Sequence, residues 1–122
     1  IYDASGSCSD EESFTITITD GPVAEAGTAT STCDDLETYD LSSIVTGSSA
    51  TNGTGVWSVA PADGSITGTT YTASTSARSG GLVTITYTVT GTTGTCTGVS
   101  VMDTVDLTLT VCCNADAPVI SK

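Results

Sequence analysis

Apolar and polar residues alternate along three stretches of the chain: residues 13–19 (Ser-Phe-Thr-Ile-Thr-Ile-Thr), 82–90 (Leu-Val-Thr-Ile-Thr-Tyr-Thr-Val-Thr) and 103–111 (Asp-Thr-Val-Asp-Leu-Thr-Leu-Thr-Val). A period of two puts every second side chain on one side of an extended strand. Each stretch therefore predicts a strand with one face in a core and the other in water. Weaker strand patterns cover residues 38–45, 55–60, 65–67 and 69–74, and Gly-rich or turn-forming stretches at 46–54, 62–64 and 76–81 separate them. Short strands at this spacing predict an antiparallel sandwich of about seven or eight strands. Its inward faces should hold Leu41, Trp57, Tyr71, Val83, Ile85, Tyr87, Val89, Val105, Leu107 and Leu109.

The chain also repeats itself. Gly6-Ser-Cys8, Ser13-Phe-Thr-Ile-Thr-Ile-Thr19 and Ala24-Glu-Ala26 recur as Gly94-Thr-Cys96, Thr104-Val-Asp-Leu-Thr-Leu-Thr110 and Ala115-Asp-Ala117. The period of about ninety residues is the size of one sandwich domain. The earlier copy reaches Gly21-Pro22 after only two strands. Residues 1–20 therefore read as the final hairpin of a preceding repeat, residues 21–113 as one complete Ig-like β-sandwich, and residues 114–122 as a linker or the start of the next repeat. A lone hairpin is marginal in water, and its unpaired edges invite partner strands. Its cover should be upstream sequence in a long chain or a neighbouring copy in a filament.

Composition sharpens this picture. A domain of 122 residues hides roughly two-thirds of its unfolded surface, enough for a core. Charged residues make up 13% of the chain, about half the usual share, and Thr, Ser and Gly replace the helix-forming Lys, Glu and Gln. The fold should be all-β. The formal charge of −12 sets 14 acidic residues against Arg78 and Lys122, so nucleic acid and anionic membrane surfaces would be repelled. Five Cys without any His point to disulfides rather than zinc, and hence to an oxidising, extracellular location. No apolar run reaches the length of a membrane span, and residues 1–7 lack a signal-peptide pattern. The chain reads as mature, processed or cut from something longer.

Several motifs together resemble a known family. Pro22-Val-Ala-Glu-Ala-Gly27, Cys33, Thr54-Gly-Val-Trp-Ser58, Thr70-Tyr-Thr-Ala73, Gly81-Leu-Val-Thr-Ile-Thr-Tyr-Thr-Val-Thr90, Gly94-Thr-Cys96 and Asp103-Thr-Val-Asp-Leu-Thr-Leu-Thr110 follow one another in an order similar to the PKD-like or Ig-like repeats of large Bacteroidota cell-surface proteins. Many of those are gliding-associated adhesins exported by type IX secretion. The resemblance implies a secreted filament or stalk repeat that serves cell adhesion or gliding motility. It also makes Cys33 and Cys96 the natural disulfide couple. The sequence departs from the family in its Cys112-Cys113 pair and in lacking a helical-looking insert before Gly80-Gly81.

The residues themselves leave the pairing open. In an Ig-like topology Cys33 lies near the first turn and Cys96 near the last hairpin loop, at opposite ends, whereas a disulfide needs Cα atoms about 4.4 to 6.8 Å apart. Cys33 would then meet Cys112 or Cys113, or a Cys of the next domain. With an odd number of Cys, at least one of Cys8, Cys33, Cys96, Cys112 and Cys113 must look outside the chain.

The absence of His and Gln, with Lys122 at the very end, removes Ser-His and Cys-His pairs, imidazole ligands and a Walker lysine, so the chain is not expected to be an enzyme. Internal isopeptide, thioester and Thr-Gln ester links are removed by the same absences. A carboxylate-pair glycosidase is the one catalytic route left, and it requires two acids facing each other across a cleft. No cofactor is expected beyond a calcium ion. The acidic clusters have the oxygen-rich composition that Ca²⁺ takes, with Asp34, Asp35 and Glu37 as candidate ligands, although acidic turn residues also serve as solvated caps.

Trp57, Tyr71 and Tyr87 read as core residues, with sugar stacking the alternative for Trp57. Arg78 reads as a surface charge. Asn52-Gly53-Thr54 is a formal N-glycosylation sequon, but Asn-Gly is equally a turn former. Asp103-Thr104-Val105 matches the O-glycosylation pattern of the family's phylum, which the resemblance extends to Thr104. Two functions compete: a rigid spacer repeat joined end to end to neighbouring repeats or identical subunits, and a module that binds surface glycans through loops 46–54 and 62–69.

Overall fold

A computed structural model describes residues 11–79 and 81–112. Among them the strands are β1 (Val23–Glu25), β2 (Thr28–Ala29), β3 (Thr32–Cys33), β4 (Thr38–Asp40), β5 (Val45–Thr46), β6 (Ser49–Thr51), β7 (Gly53–Val59), β8 (Gly64–Thr67), β9 (Thr70–Ala73), β10 (Leu82–Gly91) and β11 (Ser100–Thr110). The molecule is mostly β, as its Thr-rich alternation dictates, and among the described residues no helix is long and apolar enough to cross a membrane.

Two sheets dominate. One runs β3-β11-β10-β7 and the other β4-β9-β8, while the pairs β1-β6 and β2-β5 form two small ribbons. In the larger sheet Ile85 of β10 faces Val105 of β11 on one side and Val59 of β7 on the other. In the smaller, Tyr71 of β9 lies between Tyr39 of β4 and Ile66 of β8. The inward residues of both sheets form one core, in which Tyr39, Tyr71 and Ala73 meet Val83, Ile85, Val105, Leu107 and Leu109. Complete burial of a side chain such as Ile85 or Leu107 contributes about 1.5–3 kcal/mol. The predicted core residues Leu41, Tyr71, Val83, Ile85, Val89, Val105, Leu107 and Leu109 are all buried.

Several expectations need correction. Residues 38–45 are not one strand: Leu41–Ile44 form a helical turn, α1. The carboxylate of Asp40 accepts hydrogen bonds from the Ser42 hydroxyl (2.7 Å) and backbone N–H (3.0 Å), an N-cap that starts the turn. Those bonds, the hydroxyl foremost, hold the Asp40 carboxyl below the usual range. The sheets are not wholly antiparallel, because β3 pairs with β11 in parallel, Thr32 beside Leu109 and Cys33 beside Thr110. The expected loop 46–54 contains β6 and the start of β7. Residues 13–19 form no strand despite their alternation, since no neighbour pairs with them among the described residues. Residues 1–10 and 113–122, where the first strand of the expected hairpin, Cys8, Cys113 and the linker fall, lie outside the described residues.

Candidate functional site

At one corner the two large sheets do not close over each other. Trp57 of β7 stands opposite Tyr87 of β10 on the inward face, with ring centroids 4.3 Å apart. Gly55, next along the same face, has no side chain, and the Tyr87 phenol fills the space a Cβ would need. The opposing sheet reaches only as far as the β8–β9 turn, where Gly68 adopts φ +63°. An open pocket of about 340 Å³ remains, lined by Gly55, Val56, Trp57, Ile66, Gly68, Thr69 and Tyr87. Trp57 and Tyr87 were expected inside the core; they face it and pack against it, but stay half-buried. No lining residue is charged, so the pocket suits a ring or an aliphatic side chain better than an ion. Three of its lining residues, Gly55, Val56 and Trp57, belong to β7, the last strand of its sheet.

The opposite margin of that sheet carries the cross-link. Cys33 is bonded to Cys112, with Cα atoms 5.3 Å apart. The parallel β3–β11 pair sets this geometry, extended by the Asp34 N–H donating to the Thr110 carbonyl at 3.0 Å. The pairing of Cys33 with Cys96 that the family resemblance implies is not formed, because Cys96 sits in the β10–β11 turn at the other end of the sheet. It is a free, half-buried thiol, its Sγ donating to the Thr19 carbonyl at 3.8 Å. The Tyr39 hydroxyl donates to the Cys33 carbonyl at 2.9 Å and anchors the cross-linked segment to the core.

The other candidates are dispersed. Asp34 is half-buried, and Asp35 and Glu37 are exposed. Among the described residues no three acidic or Cys side chains are grouped so as to hold a metal ion. Two acids of β11 instead hold the fold: Asp103 accepts from the Ala26 N–H at 2.8 Å, and Asp106 from the Thr84 hydroxyl at 2.8 Å. Thr104 is exposed on the outward face of β11. Asn52 takes φ 57° in the turn before β7, and its side-chain amide donates to the Gly21 carbonyl at 3.2 Å, so it acts as a turn residue. Arg78 is not a simple surface charge. It is half-buried beside Ala77, and its Nε is buried without a hydrogen-bond partner among the described residues.

Reading the sequence alone missed the corner pocket. Its signal was Gly55 two residues before Trp57, a gap in the inward row of an otherwise bulky strand. Comparison with protein families, curated proteins and solved structures found no match.

Proposed function

We propose that this chain is a structural repeat of an extracellular cell-surface adhesin or filament, an Ig-like or PKD-like sandwich that serves as a rigid spacer. The observation that supports this best is the fate of its two related segments. Val105, Leu107 and Leu109 are buried in β11, whereas Phe14, Ile16 and Ile18, at the matching places of the earlier copy, are exposed. A segment with the pattern of a core strand and no core of its own fits a unit that joins others of its kind. The strand orders β3-β11-β10-β7 and β4-β9-β8, with β3 parallel to the last strand β11, agree with an Ig-like arrangement. The Cys33–Cys112 bond suits an oxidising location outside the cell. Adhesion and gliding in a Bacteroidota cell envelope follow from the family resemblance.

Glycan binding has the pocket beside Trp57 in its favour. That pocket offers no charged or amide side chain to fix sugar hydroxyls, so the spacer reading is better supported.

The test is to label intact source cells with a membrane-impermeant reagent and to titrate the thiols of the isolated protein. Surface labelling with Cys33 and Cys112 oxidised is the expected result. Protein found inside the cell with both thiols reduced would overturn the proposal.

A further inference from the structure

We infer that residues 13–19 of one copy add as a strand along the outer edge of β7 in a second copy, their apolar side covering the pocket beside Trp57. This deepens the spacer reading, on which it rests, by naming the contact between units.

The donor is defined by exposure. Phe14, Ile16 and Ile18 are 82%, 70% and 85% exposed and share one side of an alternating segment. The same alternation in β11 is buried when neighbouring strands are at hand. Nothing in residues 13–18 prevents strand formation; no strand pairs with them among the described residues, and only Thr19, at the end of the segment, is held, its carbonyl accepting from the Cys96 thiol.

The acceptor is defined by what it lacks. Beyond β7 no further strand pairs among the described residues, so its outward N–H and C=O groups have no ladder partner there. Exposed edges are normally guarded by Lys, Pro or inward-pointing charge, and Gly53-Thr-Gly-Val-Trp-Ser-Val59 contains none of these. The edge and the segment each span seven residues, and neither carries a charge in a chain of net charge −12. Copies that repel elsewhere can therefore meet along this line. An added strand continues the pleat, so alternate side chains fall on the side of Gly55, Trp57 and Val59 and the rest on the side of Val56 and Ser58. A segment with Phe and Ile on one side and Thr on the other meets both demands. The apolar side fills an apolar opening, and the Thr side stays in water.

Donor and acceptor are different surfaces, so the contact is head-to-tail and generates chains rather than closed dimers. One strand makes a small interface, and association should be weak and concentration-dependent.

Trp57 is the chain's sole tryptophan, so its emission reports directly on the pocket. Sedimentation and fluorescence of the oxidised full chain over a concentration series should show mass rising above 12.1 kDa as Trp57 emission shifts to the blue. Ile16→Asp, at an exposed site that leaves the circular dichroism unchanged, should stay monomeric with constant emission. A synthetic peptide of residues 11–20 should restore the shift in that variant, and the same peptide carrying Ile16→Asp should not. The proposal is overturned by a monomer with unchanged emission at every concentration, by association that survives Ile16→Asp, or by a monomer whose own segment covers Trp57. A shift produced by simple sugars but not by the peptide would overturn it in favour of a glycan pocket. Surface labelling of cells is independent of these outcomes, so a displayed protein that fails to associate removes this contact and leaves the spacer reading standing.

Discussion

The phenol of Tyr87 occupies the space that a Cβ on Gly55 would require. The strand pair β7–β10 thereby trades one side chain for a ring, and that ring in turn supports Trp57. Gly55→Ala should expel the ring, cost about 1–3 kcal/mol as an overpacking change, and shift the Trp57 emission. Chemical denaturation followed by fluorescence measures both, and an unchanged spectrum would show that the ring does not rely on this gap.

Ile85 lies at the centre of the larger sheet, fully buried between Val59 and Val105. Ile85→Ala should lower stability by about 2–5 kcal/mol. Thr86→Ala, on the opposite side of β10, should cost little. Similar losses at the two positions in urea denaturation would contradict the observed register.

The Cys33–Cys112 bond closes a span of 79 residues. In the chain-entropy model, removing a cross-link of that size costs about 4.5 kcal/mol. Cys33→Ser and Cys112→Ser should each show this loss, whereas Cys96→Ser should leave stability nearly unchanged. Denaturation curves with and without reductant give the comparison, and a large loss in the Cys96 variant alone would reassign the bond.

Tyr71 donates its hydroxyl to the Asp63 carbonyl at 2.7 Å, and burial, followed by the nearby Asp63 and Tyr39, pushes its pKa up from 10.0 to about 12. Below pH 10 the group is neutral in both states and its contribution is intact. Between pH 10 and about 12 it ionises in the unfolded chain while remaining protonated in the fold, so the unfolded state binds fewer protons and stability falls. Denaturation midpoints across that range should decline in the native protein and decline less in Tyr71→Phe. Parallel profiles would place the cause elsewhere.

The sequence made the long strands legible and the margins obscure, for physical reasons. β10 and β11 announce themselves because one side of each is continuously buried, which forces strict alternation. Residues 13–19 show the same alternation without forming a strand, since periodicity records what a segment can bury and not whether a partner is present. β1, β2 and β3 are two or three residues long, too short for any period, and the Asp40 cap was hidden inside a run that reads as extended. Topology separated Cys33 from Cys96, but choosing Cys112 required the β3–β11 register. Trp57 was placed on the correct face, yet its half-exposure depends on where the opposing sheet stops, a property of two segments together.

The Cys33–Cys112 bond also fixes how the molecule would carry tension. A pull applied on either side of the domain passes along the chain from Cys33 directly to Cys112, and the backbone of residues 34–111 lies outside that covalent path. Only β1, β2 and the start of β3 lie in the force path ahead of the cross-link, each held by a short ladder that can yield and re-form. Reduction would add roughly 270 Å of slack on unfolding, from about 3.3–3.6 Å per residue. In single-molecule stretching the oxidised chain should show no release of that length, and the reduced chain should show it once per domain. Such a unit lengthens little under shear, because its core is mechanically bypassed.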